Sequence, residues 1–211
     1  LIASPNCTTT GFLIGIYPFW QHLSIKRIFL SSYQAASGAG YGALKALETD
    51  LASGSQTSAN FFPFPLAQDC IPQIGSFNDS GFSQEEMKVL QETHKIFNTS
   101  LPLHITCARI PVSIGHSEAV SLELAEPLTQ PQLEQIISKD RASSTNNFRT
   151  FASPPYRAVP LKNSVGSHSV QISRLRIHPT DPHYLHLWIQ FDNIRVGAAT
   201  NVCRILAAML K

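Results

Sequence analysis

Between Thr8 and His22 the chain is almost continuously apolar, running through GFLIGIYPFW before Gln21 and His22 restore polarity. A hydroxyl of Thr8 or Thr9 can cap the first turn, so the pattern predicts a helix from about Thr9 to His22, kinked or shortened at Pro18. The next run, IKRIFLSSYQA, is short and β-rich and ends in a polar turn. A glycine-rich piece, SGAGYGA, then leads into a second helix through LKALETDLA, closed by Gly54. Residues 60–80, rich in Pro, Phe, Gly and Asn, read as an irregular connection across a surface or cleft.

Helical spacing returns in SQEEMKVLQETHKIF, where Ser83 and Glu86 match a capping box and Met87, Leu90, His94 and Phe97 recur at helical intervals. Two β-like runs follow, LHITCARIPV and HSEAVSLELAE, joined by a tight piece containing Pro111 and Gly115. In the second, Val120, Leu122 and Leu124 alternate with polar neighbours as a half-buried strand does. A helix at TQPQLEQIISK precedes the polar stretch DRASSTNNFRTFASPPYR, expected to be mobile or to wrap over a surface. Two more strands, HSVQISRLRI and HYLHLWIQF, lead to a final helix from about Asn193, and Leu185, Leu187, Ile189 and Phe191 of the second point one way. This order predicts an α+β fold with helices packed on one face of a sheet.

Composition narrows the partners. With 211 residues and 43% hydrophobic content the chain can bury an ordinary core, and its formal charge of +2 is too balanced to favour nucleic acid or an anionic membrane. The longest apolar run is interrupted by Pro18 and falls short of the roughly 20 residues of a membrane span. The first residues lack a signal-peptide pattern, so a cytoplasmic location is expected. No G-x-G-x-x-G follows a strand, so the dinucleotide fingerprint is missing. The four cysteines, Cys7, Cys70, Cys107 and Cys203, form no C-x-x-C pair, and no metal site is expected. Cys107 and Cys203 read as small buried hydrophobes, while Cys70 is undecided.

Cys7, in SPNCTTT, is different. A cysteine at a helix entrance feels the positive end of the dipole and unpaired N–H groups, both of which favour thiolate. Asn6 beside it offers an amide to a carbonyl or phosphate oxygen. A reactive role and a buried structural thiol stay open on these grounds. Among eight histidines, His116 opens a strand after the Pro111–Gly115 connection. If that connection is a hairpin, Arg109 on the preceding strand lies close to it. Arg109 is a charged group on the side of Ile105 and Cys107, with a planar fork suited to a carboxylate.

The segments SPNCTTT, SSYQAASGAGYGAL, CIPQIGSF with EEMKVLQETHKI, TCARIPVSIGHSEAV and FDNIRVGAATNV occur in the order and approximate spacing of bacterial aspartate-semialdehyde dehydrogenases. The chain resembles that family from its active-site cysteine to its C-terminus. The resemblance implies the C-terminal domain of a glyceraldehyde-3-phosphate dehydrogenase-like fold, with a mixed, largely antiparallel sheet. It implies NADPH-dependent reductive dephosphorylation of β-aspartyl phosphate to aspartate β-semialdehyde and phosphate, in lysine, threonine and methionine biosynthesis. By the same resemblance Cys7 is the nucleophile forming a thioacyl-enzyme, His116 the acid/base, and Gln34 the residue orienting substrate. Asn6 and Lys88 would meet the phosphate, Glu85 the amino group and Arg109 the carboxylate. Ser37, Gly38, Ala39, Gly40, Asn193 and Gly197 match cofactor contacts for NADP, although Val196 stands where the family commonly has lysine. Without the resemblance, Glu85 and Lys88 would read as a solvated helix face.

The resemblance further implies a catalytic and dimerisation domain over 1–191 and a last helix over 192–211 that packs on an absent N-terminal nucleotide-binding domain. A homodimer is expected, and the piece alone is expected to lack turnover. The alternatives are an N-acetyl-glutamyl-phosphate reductase, whose cysteine lies in a Gly-Cys-Tyr context, and a non-catalytic paralogue serving binding or assembly.

Overall fold

The computed structural model describes residues 2–143 and 148–210, so part of the polar stretch after Ser143 lies outside the described residues. Helix α1 spans Cys7–His22, α2 Tyr41–Ser53, α3 Gln84–Phe97, α4 Gln130–Ser143 and α5 Thr200–Met209. The strands are β1 Ile25–Gln34, β2 Leu103–Arg109, β3 His116–Leu124, β4 Arg149–Phe151, β5 Val170–Ile177 and β6 Tyr184–Phe191. They form one sheet in the order β2-β1-β3-β6-β5-β4, antiparallel through its middle and parallel at both edges, where β1 pairs β2 and β4 pairs β5. The α+β expectation holds.

One face of the sheet carries the main core. Phe12, Ile16 and Phe19 of α1 are fully buried against Leu30, Val120, Leu122, Leu187, Ile189 and Phe191. Gly11 makes that approach possible, because a Cβ there would lie 2.0 Å from the Phe191 ring. A smaller cluster of Ala36, Ala43, Leu47, Phe62, Leu66 and Ile71 gathers α2 and the irregular connection apart from the main core.

Several local expectations are corrected. Asn6, not Thr8 or Thr9, caps α1: its Oδ1 accepts from the backbone N–H of Thr8 at 2.8 Å and of Thr9 at 3.3 Å. The helix runs unbroken through Pro18. Pro18 has no N–H for the Ile14 carbonyl four residues back, and Arg149 Nη1 donates to that carbonyl instead, at 3.1 Å. Arg149 also grips Asp140 of α4 at 2.8–3.0 Å, so one guanidinium joins α1, α4 and β4. Strands β2 and β3 are not a hairpin, since β1 lies between them. The final helix opens with a π-helical turn, Arg195–Ala199, before α5. Cys107 is buried as expected, but Cys203 is exposed on α5, and so is Cys70.

The capping box of α3 is complete, with Ser83 N–H donating to Glu86 at 2.7 Å and Glu86 N–H to the Ser83 hydroxyl at 3.4 Å. Its buried stripe is Glu85, Glu86, Val89 and Thr93 rather than the apolar set at Met87, Leu90, His94 and Phe97. Two carboxylates therefore face inward. Among the described residues no helix is long and apolar enough to cross a membrane.

Candidate active site

The inward carboxylates meet the sheet at one end of three strands. Gln34 ends β1 opposite Arg109 of β2, and the neighbouring pairing of Tyr33 with Ser117 brings Gln34 beside His116 of β3. By strand alternation all three point to the helix-covered face, where Arg109 is 5%, Gln34 1% and His116 0% exposed. The N-terminus of α1 lies over this row and sets Cys7 Sγ 3.4 Å from His116 Nε2. Arg109 and His116 thus converge as anticipated, although by a crossover past β1 rather than by a hairpin.

One backbone unit positions both. The Ala35 N–H donates to His116 Nδ1 at 3.1 Å, and Arg109 Nη1 donates to the Ala35 carbonyl at 2.7 Å. The guanidinium lies over the Phe62 ring, 5.7 Å from its centroid. No carboxylate bonds it among the described residues, which leaves its remaining donors available to an anion.

Glu85 straddles Cys7 in sequence space. Its carboxylate accepts from Asn6 Nδ2 at 3.0 and 3.1 Å and from the Thr8 hydroxyl at 3.2 Å. The Asn6 amide is therefore committed to Glu85 and to the helix cap, and Asn6 N–H goes to Glu92 at 2.8 Å. These contacts correct the expectation of an ionised Cys7. Burial first, and the Glu85 carboxylate second, push the thiol up to about 11, against hydrogen bonds from Thr8 and the Arg109 charge. The helix dipole, worth typically 0.3–1 kcal/mol, is outweighed, and the resting sulfur is a thiol.

Beneath the Arg109–Gln34–His116 row lies a second polar row, Cys107, Ser32 and Glu118, in register across the same strands and at most 1% exposed. Ser32 accepts from Gln34 Nε2 at 3.1 Å, which fixes the amide so that it lines the pocket above. Neither oxygen of Glu118 has a partner among the described residues. Burial raises its pKa well above the ordinary carboxyl value, which favours the uncharged form. Sequence reasoning missed Ser32, Ala35 and Glu118. The alternation of Val120, Leu122 and Leu124, carried back along β3, places Glu118 on the same buried side, and that was the available signal.

A pocket of about 190 Å³ opens above Cys7, lined by Asn6, Gln34, Gln84, Glu85, Lys88 and Arg109 among others. Lys88 is exposed at its rim. The residues expected at a cofactor divide into two groups. Gly38, Ala39 and Gly40 are exposed, and on the side of Gly40 where a Cβ would stand there is open space, so this loop can take a flat ring against its backbone. Ser37 and Asn193 instead bond each other at 3.0–3.2 Å, and Asn193 Oδ1 accepts from Gly115 N–H at 2.8 Å, tying the loop to the residue before His116. Gly197 lies under Cys7, where an added Cβ would come 2.5 Å from Cys7 Cβ. Val196, at the position of the family's lysine, is fully buried. The residues present fit a nicotinamide at Gly38–Gly40, while Ser37, Asn193 and Gly197 shape the wall behind it.

A family model described as "Semialdehyde dehydrogenase, dimerisation domain" matches residues 16–196. The chain is 37% identical over 209 residues to the aspartate-semialdehyde dehydrogenase of Legionella pneumophila, covering 97% of the chain and 59% of that protein. It is 34% identical over 215 residues to aspartate-semialdehyde dehydrogenase 2 of Vibrio cholerae, covering 100% of the chain and 62% of the relative. The crystal structure of aspartate semialdehyde dehydrogenase II from Vibrio cholerae matches with a TM-score of 0.86 at 34% identity, over 99% of this chain and 62% of that one. A second structure of that enzyme, complexed with ASA, matches with the same TM-score at 33% identity, again over 99% of this chain and 62% of that one. The chain thus spans about three fifths of the length of these relatives.

Proposed function

The chain belongs to the semialdehyde dehydrogenase dimerisation-domain family, and on that premise we propose that it forms the catalytic and dimerising part of an aspartate-semialdehyde dehydrogenase. The observation that carries this is the pairing of Cys7 Sγ with a fully buried imidazole at 3.4 Å, at the floor of a pocket that also presents a guanidinium and a carboxylate. A nucleophile with separate cationic and anionic anchors suits an amino-acid acyl phosphate.

Arg109 takes the α-carboxylate of β-aspartyl phosphate, since its guanidinium is immobilised by Ala35 and has donors to spare. Glu85 takes the ammonium group, and Lys88 at the rim takes the phosphate. Held so, the acyl carbon sits over Cys7, and positioning of this kind supplies at most about 7–11 kcal/mol of the barrier. Cys7 attacks and expels phosphate, which leaves a thioester on its sulfur. NADP, bound against Gly38–Gly40, supplies the hydride chemistry when present. His116 serves the sulfur and the developing oxyanion from its Nε2. Gln34, fixed by Ser32, borders the acyl group.

Residues 1–191 make up the catalytic and dimerising unit, and 192–211 reach toward a nucleotide-binding domain, for which the greater length of the relatives leaves room. The exposed Val202, Leu206 and Met209 of α5 suit that contact. A second copy docks on the open face of the sheet.

The test is phosphate-dependent NADP reduction by aspartate semialdehyde, measured on the natural polypeptide that carries this sequence, against its Cys7→Ala variant. NADPH formation that requires phosphate and vanishes in the variant, with the fold unchanged by circular dichroism, is the expected result. Turnover surviving the loss of Cys7 would reject the assignment.

A further inference from the structure

Arg109 carries its charge in an unusual setting. It is 5% exposed, no carboxylate bonds it among the described residues, and the Ala35 carbonyl at 2.7 Å takes one of its N–H donors. Taking a charge out of water without a counter-charge is costly. Burial accordingly disfavours the Arg109 cation, with the Glu85 carboxylate opposing from the same pocket. Glu85 itself bonds Asn6 and Thr8 rather than the guanidinium. What does meet the charge is the ring of Phe62, whose centroid is 5.7 Å from Arg109 Cζ, inside the roughly 6 Å range of a cation–π contact.

The use of a ring bears on the reaction. An aspartate or glutamate in its place would neutralise the charge, but it would also occupy the N–H fork that a substrate carboxylate needs. A ring offers its π electrons and presents no oxygen, so the donors stay open to the pocket that Arg109 lines with Cys7, Gln34 and Glu85. Gly38 leaves the guanidinium room, since a Cβ there would lie 2.7 Å from Nη1.

Phe62 is fixed by the connection that carries it. Asp50, near the end of α2, accepts from the backbone N–H of Thr57 at 2.7 Å and of Ser58 at 2.8 Å. The Ser58 hydroxyl accepts from Leu66 N–H at 2.9 Å, and the Ser58 carbonyl from Phe62 N–H at 3.1 Å. The Phe62 side chain is 8% exposed and belongs to the smaller core cluster with Ala36, Leu47, Leu66 and Ile71. The same connection then returns at Ile71, which exchanges backbone hydrogen bonds with Arg109 at 2.8 and 2.9 Å along the outer edge of β2. The irregular segment between α2 and α3 thus grips Arg109 twice, at its backbone through Ile71 and at its charge through Phe62.

We propose that Phe62 is a positioning residue for carboxylate recognition: its ring holds the buried Arg109 guanidinium aimed into the pocket, with its donors free, so that the substrate α-carboxylate becomes the counter-charge the protein does not supply. This deepens, and rests on, the acyl-phosphate reading above. Phe62 touches neither the substrate nor the reacting atoms and acts through Arg109 alone.

The experiment uses the natural polypeptide that carries this sequence. Phe62→Leu keeps an apolar side chain in the cluster and removes the ring, while Phe62→Tyr keeps the ring. Phe62→Leu should raise KM for aspartate semialdehyde about 5–30-fold and leave kcat little changed, because the carboxylate is bound alike in the ground and transition states. Phe62→Tyr should stay close to wild type. The aldehyde 3-aminopropanal, which lacks the carboxylate, separates positioning from a merely structural role: its kcat/KM should be the same in wild type and Phe62→Leu. An unchanged KM for aspartate semialdehyde, or an equal loss on both aldehydes, overturns the proposal. Should Phe62→Leu fail to fold by circular dichroism, Phe62→Met is read in the same way.

Binding gives a readout without turnover. Protection of Cys7 from iodoacetamide by L-aspartate should need about 5–30-fold more ligand in Phe62→Leu than in wild type, and identical protection curves overturn the proposal as well. Wild-type protein without phosphate-dependent turnover would reject the reaction assignment instead, and the protection measurement would still decide the role of Phe62.

Discussion

At the scale of single residues, the protonation of Cys7 is set less by its place at a helix entrance than by the groups that fold over it. A cysteine between Asn6 and a threonine run marks a helix entrance, and the helix does begin at Cys7. Its ionisation depends on what folds over it, and Glu85 reaches it from 78 residues away in the chain through bonds to Asn6 and Thr8. No local pattern carries that information, because Glu85 read alone belongs to an exposed helix face. Glu118 was hidden for a related reason: a carboxyl on a strand is ordinarily solvated, and only tertiary packing leaves this one at 0% exposure. The Glu85 charge is testable through the sulfur. A negative neighbour favours thiol over thiolate, so Glu85→Gln should lower the Cys7 pKa from its raised value of about 11. Below that pKa, alkylation by iodoacetamide follows the thiolate fraction and should accelerate about tenfold for each unit the pKa falls. A pH profile of alkylation that is identical in the two proteins would show that the carboxylate does not govern the thiol.

At the scale of elements, what was legible was local. The Gly54 stop of α2, the Ser83–Glu86 box of α3 and the alternation in β3 and β6 are short-range chemistry, and each stands where the pattern put it. Strand partners are non-local. The sequence brings β2 and β3 close along the chain, yet β1 is inserted between them, and only the sheet decides that. Strand β4 was missed because its three residues sit in a polar stretch and pair along one side only, with β5. The unbroken course of α1 through Pro18 has the same origin, since the compensating donor, Arg149, lies on β4. A double-mutant cycle can measure that compensation. The Arg149–Asp140 pair is well buried, with side chains 11% and 7% exposed, so Arg149→Ala should cost about 3–5 kcal/mol of unfolding free energy in urea melts. In a Pro18→Ala background residue 18 has its own N–H for the Ile14 carbonyl, and the same change should then cost about 1 kcal/mol less. Strict additivity would mean that Arg149 does not serve the proline.

At the scale of the molecule, the two faces of the sheet are unequal. The helices cover one. On the other, where an antiparallel sheet facing water would alternate to polar residues, aromatic side chains stack in pairs: Tyr33 on Trp188 at 5.5 Å, Phe29 on His104 at 4.9 Å, Tyr184 on His186 at 6.5 Å between centroids. Such a face suits an isologous contact, in which a two-fold axis lays the same patch on itself, and the family model that the chain matches is described as a dimerisation domain. Trp188 is half-buried near the middle of this face, on β6, where an aromatic anchor carries most weight. Trp188→Asp should therefore weaken self-association by at least about 2 kcal/mol, roughly thirtyfold in Kd, by sedimentation equilibrium. The monomer's fold should survive, because the helix-covered core lies on the opposite side of the sheet. Leu206→Asp on the exposed side of α5 separates the two surfaces. If α5 faces a nucleotide domain rather than a second copy, this change leaves the association constant untouched while lowering turnover. A fall in association with Leu206→Asp and none with Trp188→Asp would exchange the roles assigned to the two surfaces.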